Sequence, residues 1–231
     1  VIDGGQSNDV GAGALIAAVP LDYNRHGDKI LVWNSAGQIA PSTESLSLNI
    51  DWYVTANPTF GLGAMKTASN DYLDAYPDAR ILHVPCGFSA SGLDVEWAIP
   101  NGPETVRMIA RVNAAVAATG CMNAVLMWYQ GENHPTPPSS WGAKTQALWN
   151  YIQAETGVTF SLILYCQLAA TPWPPAAAGW EDVRISQATI QTPTQIMIVP
   201  PDCGPQVHQD ATQQQTIGHA YGALLVSGWP P

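Results

Sequence analysis

The sequence predicts an open α/β sheet, parallel and covered by helices on both faces, and three observations carry that expectation. Short runs that are apolar at every position, rather than at alternate ones, recur along the 231 residues, as strands buried on both faces require. Segments with apolar residues at helical spacing separate these runs, and strand–helix–strand repetition implies right-handed crossovers. No shift in composition marks a second domain, so 1–231 is read as one domain.

A first short strand ends at Gly4-Gly5, and the runs at 29–34 (KILVWN), 80–85 (RILHVP), 124–129 (AVLMWY), 160–166 (FSLILYC) and 195–199 (QIMIV) read as strands. Between them, 103–119 carries Val106, Ile109, Val112 and Val116 at helical spacing, with Gly120 as a stop signal. The segment 139–156 ends in Gly157 and places Leu148, Tyr151 and Ile152 on one face, and 182–191 and 210–226 are two further helix candidates. Residues 35–60 and 88–103 are long and irregular, which in this architecture marks loops built for binding. The Pro/Ala/Gly stretch at 171–179 is too short for a linker and reads as a loop.

Eight Lys and Arg stand against 18 Asp and Glu, a net charge of −10 with a pI near 4.6. That balance argues against a nucleic-acid binder and against a polybasic membrane-surface protein. Only 11% of residues are charged while 46% are hydrophobic, so uncharged polar groups must cover the surface. Such surfaces are common in extracellular and virion proteins, and that is the expected setting. No run of eighteen apolar residues exists, so no membrane span is expected. The start, Val1-Ile2-Asp3-Gly4-Gly5, has neither the basic opening nor the apolar core of a signal peptide; a removed signal or a piece of a longer chain is expected. The four cysteines (Cys86, Cys121, Cys166, Cys203) lack CxxC spacing. Buried free thiols are expected rather than zinc, with one disulfide left open.

In an open α/β sheet, ligands sit beyond the carboxyl ends of the strands. Those positions carry Gly4-Gly5-Gln6-Ser7-Asn8-Asp9, then Cys86 to Gly92, then Trp128-Tyr129-Gln130-Gly131-Glu132-Asn133-His134, and last Asp202 and Val207-His208. A serine, a carboxylate beside amides, and a histidine therefore project from one edge. Acyl transfer needs these groups: a nucleophile, a base, an orienting acid and donors for the oxyanion. His134 ranks below His208 as the base, while His26, His83 and His219 read as residues of a turn, a strand interior and a helix face.

Gly5-Gln6-Ser7-Asn8 resembles the first block of the SGNH (GDSL-like) hydrolase superfamily, in the form found in sialate O-acetylesterases and related acetylxylan esterases. Trp128-Tyr129-Gln130-Gly131-Glu132 resembles that branch's WxQGE block, and Val207-His208 before a helix with Ile217-Gly218 resembles its last block. The resemblance implies a three-layer α/β/α sandwich around a five-stranded, mostly parallel sheet of flavodoxin-like order. It implies a serine esterase acting on an O-acetylated carbohydrate, with no metal or organic cofactor. Carried over by position, Ser7 is the nucleophile, His208 the base and Gln130 the side-chain oxyanion donor, with the Ser7 N–H as a second donor. Asn8 falls among the substrate contacts.

Two departures from the family pattern bear on the site. The acid usually stands three residues before the histidine, where this chain has Pro205. Glu132 is the first choice for that role, Asp202 the second, and a Ser–His dyad oriented by a backbone carbonyl the third. The family's Gly-Gly-Thr is replaced by Ser89-Ala90-Ser91, which makes the N–H of Ser89 or Ala90 the third oxyanion donor. Trp52, Trp97, Trp141 and Trp173 lie in or next to loops on this side and are candidates for stacking on a sugar, Trp97 and Trp173 foremost. The competing reading is a carbohydrate-binding module of a larger extracellular or phage-tail protein that has kept the fold and lost turnover. An esterase for lipid or thioester acyl groups ranks last, because the loops are rich in Pro, Ser, Thr and Asn.

Overall fold

A computed structural model describes residues 1–5, 25–42, 63–133, 138–171, 178–202 and 208–231. Among these residues seven strands form one sheet: β1 (Ile2–Gly5), β2 (Ile30–Trp33), β3 (Ile39–Pro41), β4 (Ile81–Pro85), β5 (Asn123–Tyr129), β6 (Thr159–Cys166) and β7 (Gln195–Ile198). Their spatial order is β3-β2-β4-β1-β5-β6-β7. Every pairing is parallel except β2 with β3.

The sheet thus has seven strands where five were expected. The strand β2 lies in the run read at 29–34, while β3, which was not read, joins it at the edge through a turn at Asn34, whose side-chain oxygen accepts from Gln38 N at 2.9 Å while Gly37 takes a positive φ of 68°. A three-residue strand ending in proline carries little periodic signal, and proline is tolerated there because β3 is an edge. β2 is also parallel to β4; the five strands beyond it run β4-β1-β5-β6-β7, which in chain order is the flavodoxin-like 2-1-3-4-5. The order reverses between β1 and β5, and the crevice at such a switch point is where α/β sheets bind ligands.

Among the described residues, five helices cover the sheet: α1 (Ala64–Ala75), α2 (Pro103–Thr119), α3 (Trp141–Thr156), α4 (Trp180–Ala188) and α5 (Ala211–Gly228). Gly120 and Gly157 end α2 and α3 in the left-handed conformation, as the sequence signalled. Asp210 opens α5 with a capping box shared with Gln213. The helix α1 was not anticipated, because Lys66, Thr67, Ser69 and Asn70 are buried in it and break any apolar stripe.

Alternate strand residues feed two separate cores. Leu126 and Trp128 of β5 face α2, α3 and α4, while Val125, Met127 and Tyr129 face α1 and α5. The first core is aromatic: Trp128 meets Trp97 edge-on at 5.0 Å and Trp149 at 6.3 Å, and Trp149 meets Tyr165 at 5.6 Å. The second relies on close helix contact. A Cβ on Gly218 would sit 2.5 Å from the Ala64 carbonyl oxygen, so α5 lies directly on α1. Cys86 and Cys166 are buried free thiols and Cys121 is an exposed one; Cys203 lies outside the described residues.

Candidate active site

The two glycines that end β1 are there because β5 leaves no room for side chains. A Cβ on Gly4 would lie 2.7 Å from the Trp128 ring, and one on Gly5, at φ 140°, would lie 2.2 Å from the Tyr129 carbonyl oxygen. This pins the carboxyl end of β1 against that of β5 at the switch point. The chain then enters Gln6, Ser7 and Asn8, which lie outside the described residues, as do His134, Trp52 and Trp173.

The segment after β4 folds onto this junction. Phe88 N donates to the Gly5 carbonyl at 3.0 Å. Ser91 Oγ donates to the Phe88 carbonyl at 2.6 Å and accepts from Trp97 Nε1 at 2.7 Å. Ala90 adopts φ 57°, a conformation that favours glycine. Asn133 Nδ2 donates to its carbonyl at 2.9 Å. Among the described residues, no acceptor pairs with the backbone N–H of Ser89 or Ala90. Both N–H groups are thus uncommitted among the described residues.

Gln130 is wholly buried at the end of β5. Its Oε1 accepts from Trp141 Nε1 at 2.6 Å and its Nε2 donates to the Ser91 carbonyl at 3.3 Å. Its own carbonyl accepts from Gln187 Nε2 at 3.1 Å, and Gln187 Oε1 accepts from Leu168 N at 2.9 Å. An amide nitrogen carries two hydrogens. The second one on Gln130 has no acceptor among the described residues. The side chain is therefore held in place with one donor uncommitted, beside a turn that presents two more.

Glu132 is buried next to the Cys166 thiol, whose pKa is pushed well up by burial first and by the Glu132 charge second. His208 is half-buried, and burial holds its imidazole below the ordinary histidine value. Gln209 anchors it from behind, donating to the Tyr129 hydroxyl at 3.3 Å. Among the described residues, no hydrogen bond or ion pair joins His208 to Glu132 or to Asp202, and no carboxylate offsets the effect of burial on the ring. Asp202 instead receives the N–H and O–H of Thr171 at 3.1 and 2.6 Å. Asp210 caps α5. The expected pairing of an acid with His208 is thus not made by either candidate.

Trp97 requires a correction. It is 1% exposed, packed on Trp128 with its N–H on Ser91, so it supports the donor turn from below and offers no face to a sugar. Trp141 is likewise buried. What sequence reasoning missed is that Trp97, Trp141 and Asn133 hold the donors in place. Proximity to the matched blocks was the only signal, and it does not say where an indole N–H points. Among the described residues, no group of three or more His, Cys, Asp or Glu gathers as metal ligands.

The profile of one protein family, "Carbohydrate esterase, sialic acid-specific acetylesterase", matches residues 1–227. Similar solved structures include a protein of Arabidopsis thaliana, with TM-score 0.83, 18% identity, and coverage of 99% of this chain and 98% of that one. NanS aligns with TM-score 0.70 and 12% identity over 99% of this chain and 96% of its own. A carbohydrate acetylesterase from Xanthomonas citri aligns with TM-score 0.57 and 15% identity over 97% of this chain but 55% of its own. At these identities the structural likeness shows the fold. No curated protein sequence matches the chain.

Proposed function

The chain belongs to the carbohydrate esterase, sialic acid-specific acetylesterase family, and from that premise we propose that it removes O-acetyl groups from a carbohydrate through an acyl-enzyme on Ser7. Ser7 Oγ attacks the acetyl carbonyl carbon while His208 takes the hydroxyl proton. The oxyanion that forms is met by Gln130 Nε2 and by the N–H groups of Ser89 and Ala90. As the tetrahedral species collapses, the ester C–O bond breaks and His208 returns the proton to the departing sugar oxygen. Water then attacks the acetyl-enzyme with His208 again as base, releasing acetate and restoring Ser7.

The observation that carries this reading is the cluster of uncommitted donors at the switch point, one from a locked amide and two from a strained turn. Preorganised donors of this kind stabilise developing charge by about 3–4 kcal/mol each. With no carboxylate joined to it among the described residues, His208 acts in a dyad with Ser7, the third of the orienting options. The charge-poor composition supports an extracellular or virion-associated setting.

The second reading, a carbohydrate-binding module without turnover, draws on the same lack of an acid at His208 among the described residues. Acetate release from O-acetylated glycans and an aryl acetate separates the two. Turnover by the wild type that is lost in Ser7→Ala supports the esterase, and Glu132→Gln and Asp202→Asn then each lose less than tenfold if the dyad is right. A wild type that binds a glycan but releases no acetate overturns the esterase reading in favour of the module.

A further inference from the structure

We propose that Trp141 is a positioning residue for acyl transfer, fixing which way round the Gln130 amide sits so that its nitrogen, not its oxygen, serves the oxyanion. The inference rests on the esterase reading above and adds to it a residue that never touches the substrate.

An indole N–H can only donate and a backbone carbonyl can only accept. Trp141 Nε1 at 2.6 Å therefore selects Gln130 Oε1, and the Ser91 carbonyl at 3.3 Å selects Nε2. The two contacts agree, and the reversed amide would set two acceptors against each other at Ser91 while leaving the indole without a partner. Of the two, the bond from Trp141 is much the shorter. Both side chains are fully buried, so water cannot take over the role of the missing partner.

The fold also fixes Trp141 itself. It is the first residue of α3, and the next residue, Gly142, donates its N–H to Ser186 Oγ at 2.8 Å. A Cβ on Gly142 would lie 2.6 Å from the Ser186 carbonyl oxygen, so α3 starts in direct contact with α4. Ser186 Oγ in turn donates to the Ser139 carbonyl at 2.9 Å. Its neighbour Gln187 holds the Gln130 carbonyl. One turn of α4 thus positions the backbone of Gln130 and, through α3, the indole that orients its side chain. A tryptophan used only for packing would not need its nitrogen aimed at that amide.

The test is a double-mutant cycle on aryl acetate hydrolysis, comparing wild type, Trp141→Phe, Gln130→Ala and the double variant. Removing an oxyanion donor lowers kcat by about 10²–10³-fold, which sets the expectation for Gln130→Ala. Trp141→Phe leaves the amide held by its longer bond alone and is expected to lower kcat by roughly tenfold, with KM within about twofold. In the Gln130→Ala background the same change should cost nothing further. An unchanged kcat in Trp141→Phe, or an equal loss in both backgrounds, overturns the proposal. Should Trp141→Phe fail to fold, replacement of Trp141 by benzothienylalanine removes the N–H at nearly constant shape and is held to the same outcomes. A wild type inert on every ester overturns the esterase reading, and the inference falls with it; a turnover-competent wild type with a silent Trp141→Phe overturns the inference alone.

Discussion

Two clusters bearing serine, histidine or their partners hang from strand β1, and they differ in a way that separates structure from catalysis. At its carboxyl end lies the switch point with the uncommitted donors of Gln130, Ser89 and Ala90, the proposed site that half-buried His208 would serve. Two residues back, Asp3 Oδ2 meets His83 Nδ1 at 2.8 Å, and His83 Nε2 meets Ser69 Oγ at 2.7 Å. The inner array has the connectivity of a catalytic triad, yet Ser69 and His83 are both 0% exposed. It is sealed between β1, β4 and α1, where no ester can reach the serine. The outer site lacks that connectivity among the described residues but gathers uncommitted donors, with His208 half-buried and the Gln130 amide buried. Triad bonding alone is therefore a poor marker of function; reach and oxyanion donors discriminate better.

The largest expected effect comes from exchanging losses between the two clusters. His208→Ala should reduce turnover by at least about 10³-fold with little change in thermal midpoint. Ser69→Ala should leave kcat unchanged while lowering stability by roughly 1–3 kcal/mol, the cost of a buried polar group left without its partner. The opposite pattern would move the active site to the inner array. The outer histidine also predicts a pH profile. Burial lowers its pKa from 6.5, and the base must be neutral to act. The acid limb of kcat/KM should therefore fall below pH 6.5, and a limb above that value would mean that a carboxylate supports the ring after all.

A second test addresses the inner cluster by itself. Asp3 is a buried carboxylate on β1 whose Oδ1 has no hydrogen-bond partner, so His83 is its side-chain support among the described residues. Replacing His83 by Phe keeps the volume but strands the charge. Breaking a buried pair in this way costs about 3–5 kcal/mol, measured as a fall in the urea midpoint at pH 7. A change under about 1 kcal/mol would mean that water reaches the Asp3 carboxylate, and the sealed-cluster description would fail.

The next comparison sets that carboxylate against Glu104, which is buried under the donor turn. Both of its oxygens accept from Arg107 Nη1 at 2.9 Å, and Arg107 lies 5.8 Å from the Phe88 ring centroid. Burial outweighs Arg107 and pushes the Glu104 pKa from 4.5 up to about 7. A folded pKa above the unfolded one means that the contribution to stability is full below about pH 4.5 and is lost as pH rises through 7. Glu104→Gln stays neutral throughout, so it should match wild type near pH 5 and exceed it by on the order of 1–2 kcal/mol at pH 8.5. A variant weaker than wild type at pH 8.5 would show that the pairing with Arg107 prevails over burial.

What was legible in the sequence follows the same division. The five longer parallel strands were readable because burial on both faces makes continuous apolar runs, and α2 and α3 because glycine stops follow periodic segments. The strand β3 is too short to show a period, and α1 buries Lys66, Ser69 and Asn70, one of which serves the inner array. The positions of Gln130, Ser89 and Ala90 beyond β5 and β4 could be read because they sit in blocks that follow strands. The roles of Trp97 and Trp141 could not, since where an indole N–H points is set by packing: Trp97 donates to Ser91 six positions back while it packs on Trp128, and Trp141 donates to Gln130 eleven positions back. The bond between Glu132 and His208 that the matched block suggested is not made among the described residues, because adjacency in a block does not fix where Glu132 points.

The smallest expected effect concerns the departure at Ala90. A left-handed alanine costs roughly 1–2 kcal/mol relative to a right-handed one, while glycine there would lose about 0.5–1 kcal/mol more chain entropy on folding. Ala90→Gly should therefore raise stability by no more than about 1 kcal/mol, visible as a small rise in thermal midpoint. The backbone N–H and the carbonyl held by Asn133 are unchanged by the substitution, so kcat should stay within twofold. A large fall in kcat with unchanged stability would mean that the methyl group itself touches the substrate. A fall in both would mean that the strain in this turn keeps the donors aimed, and that the outer cluster, like the inner one, depends on rigidity built in at a cost to stability.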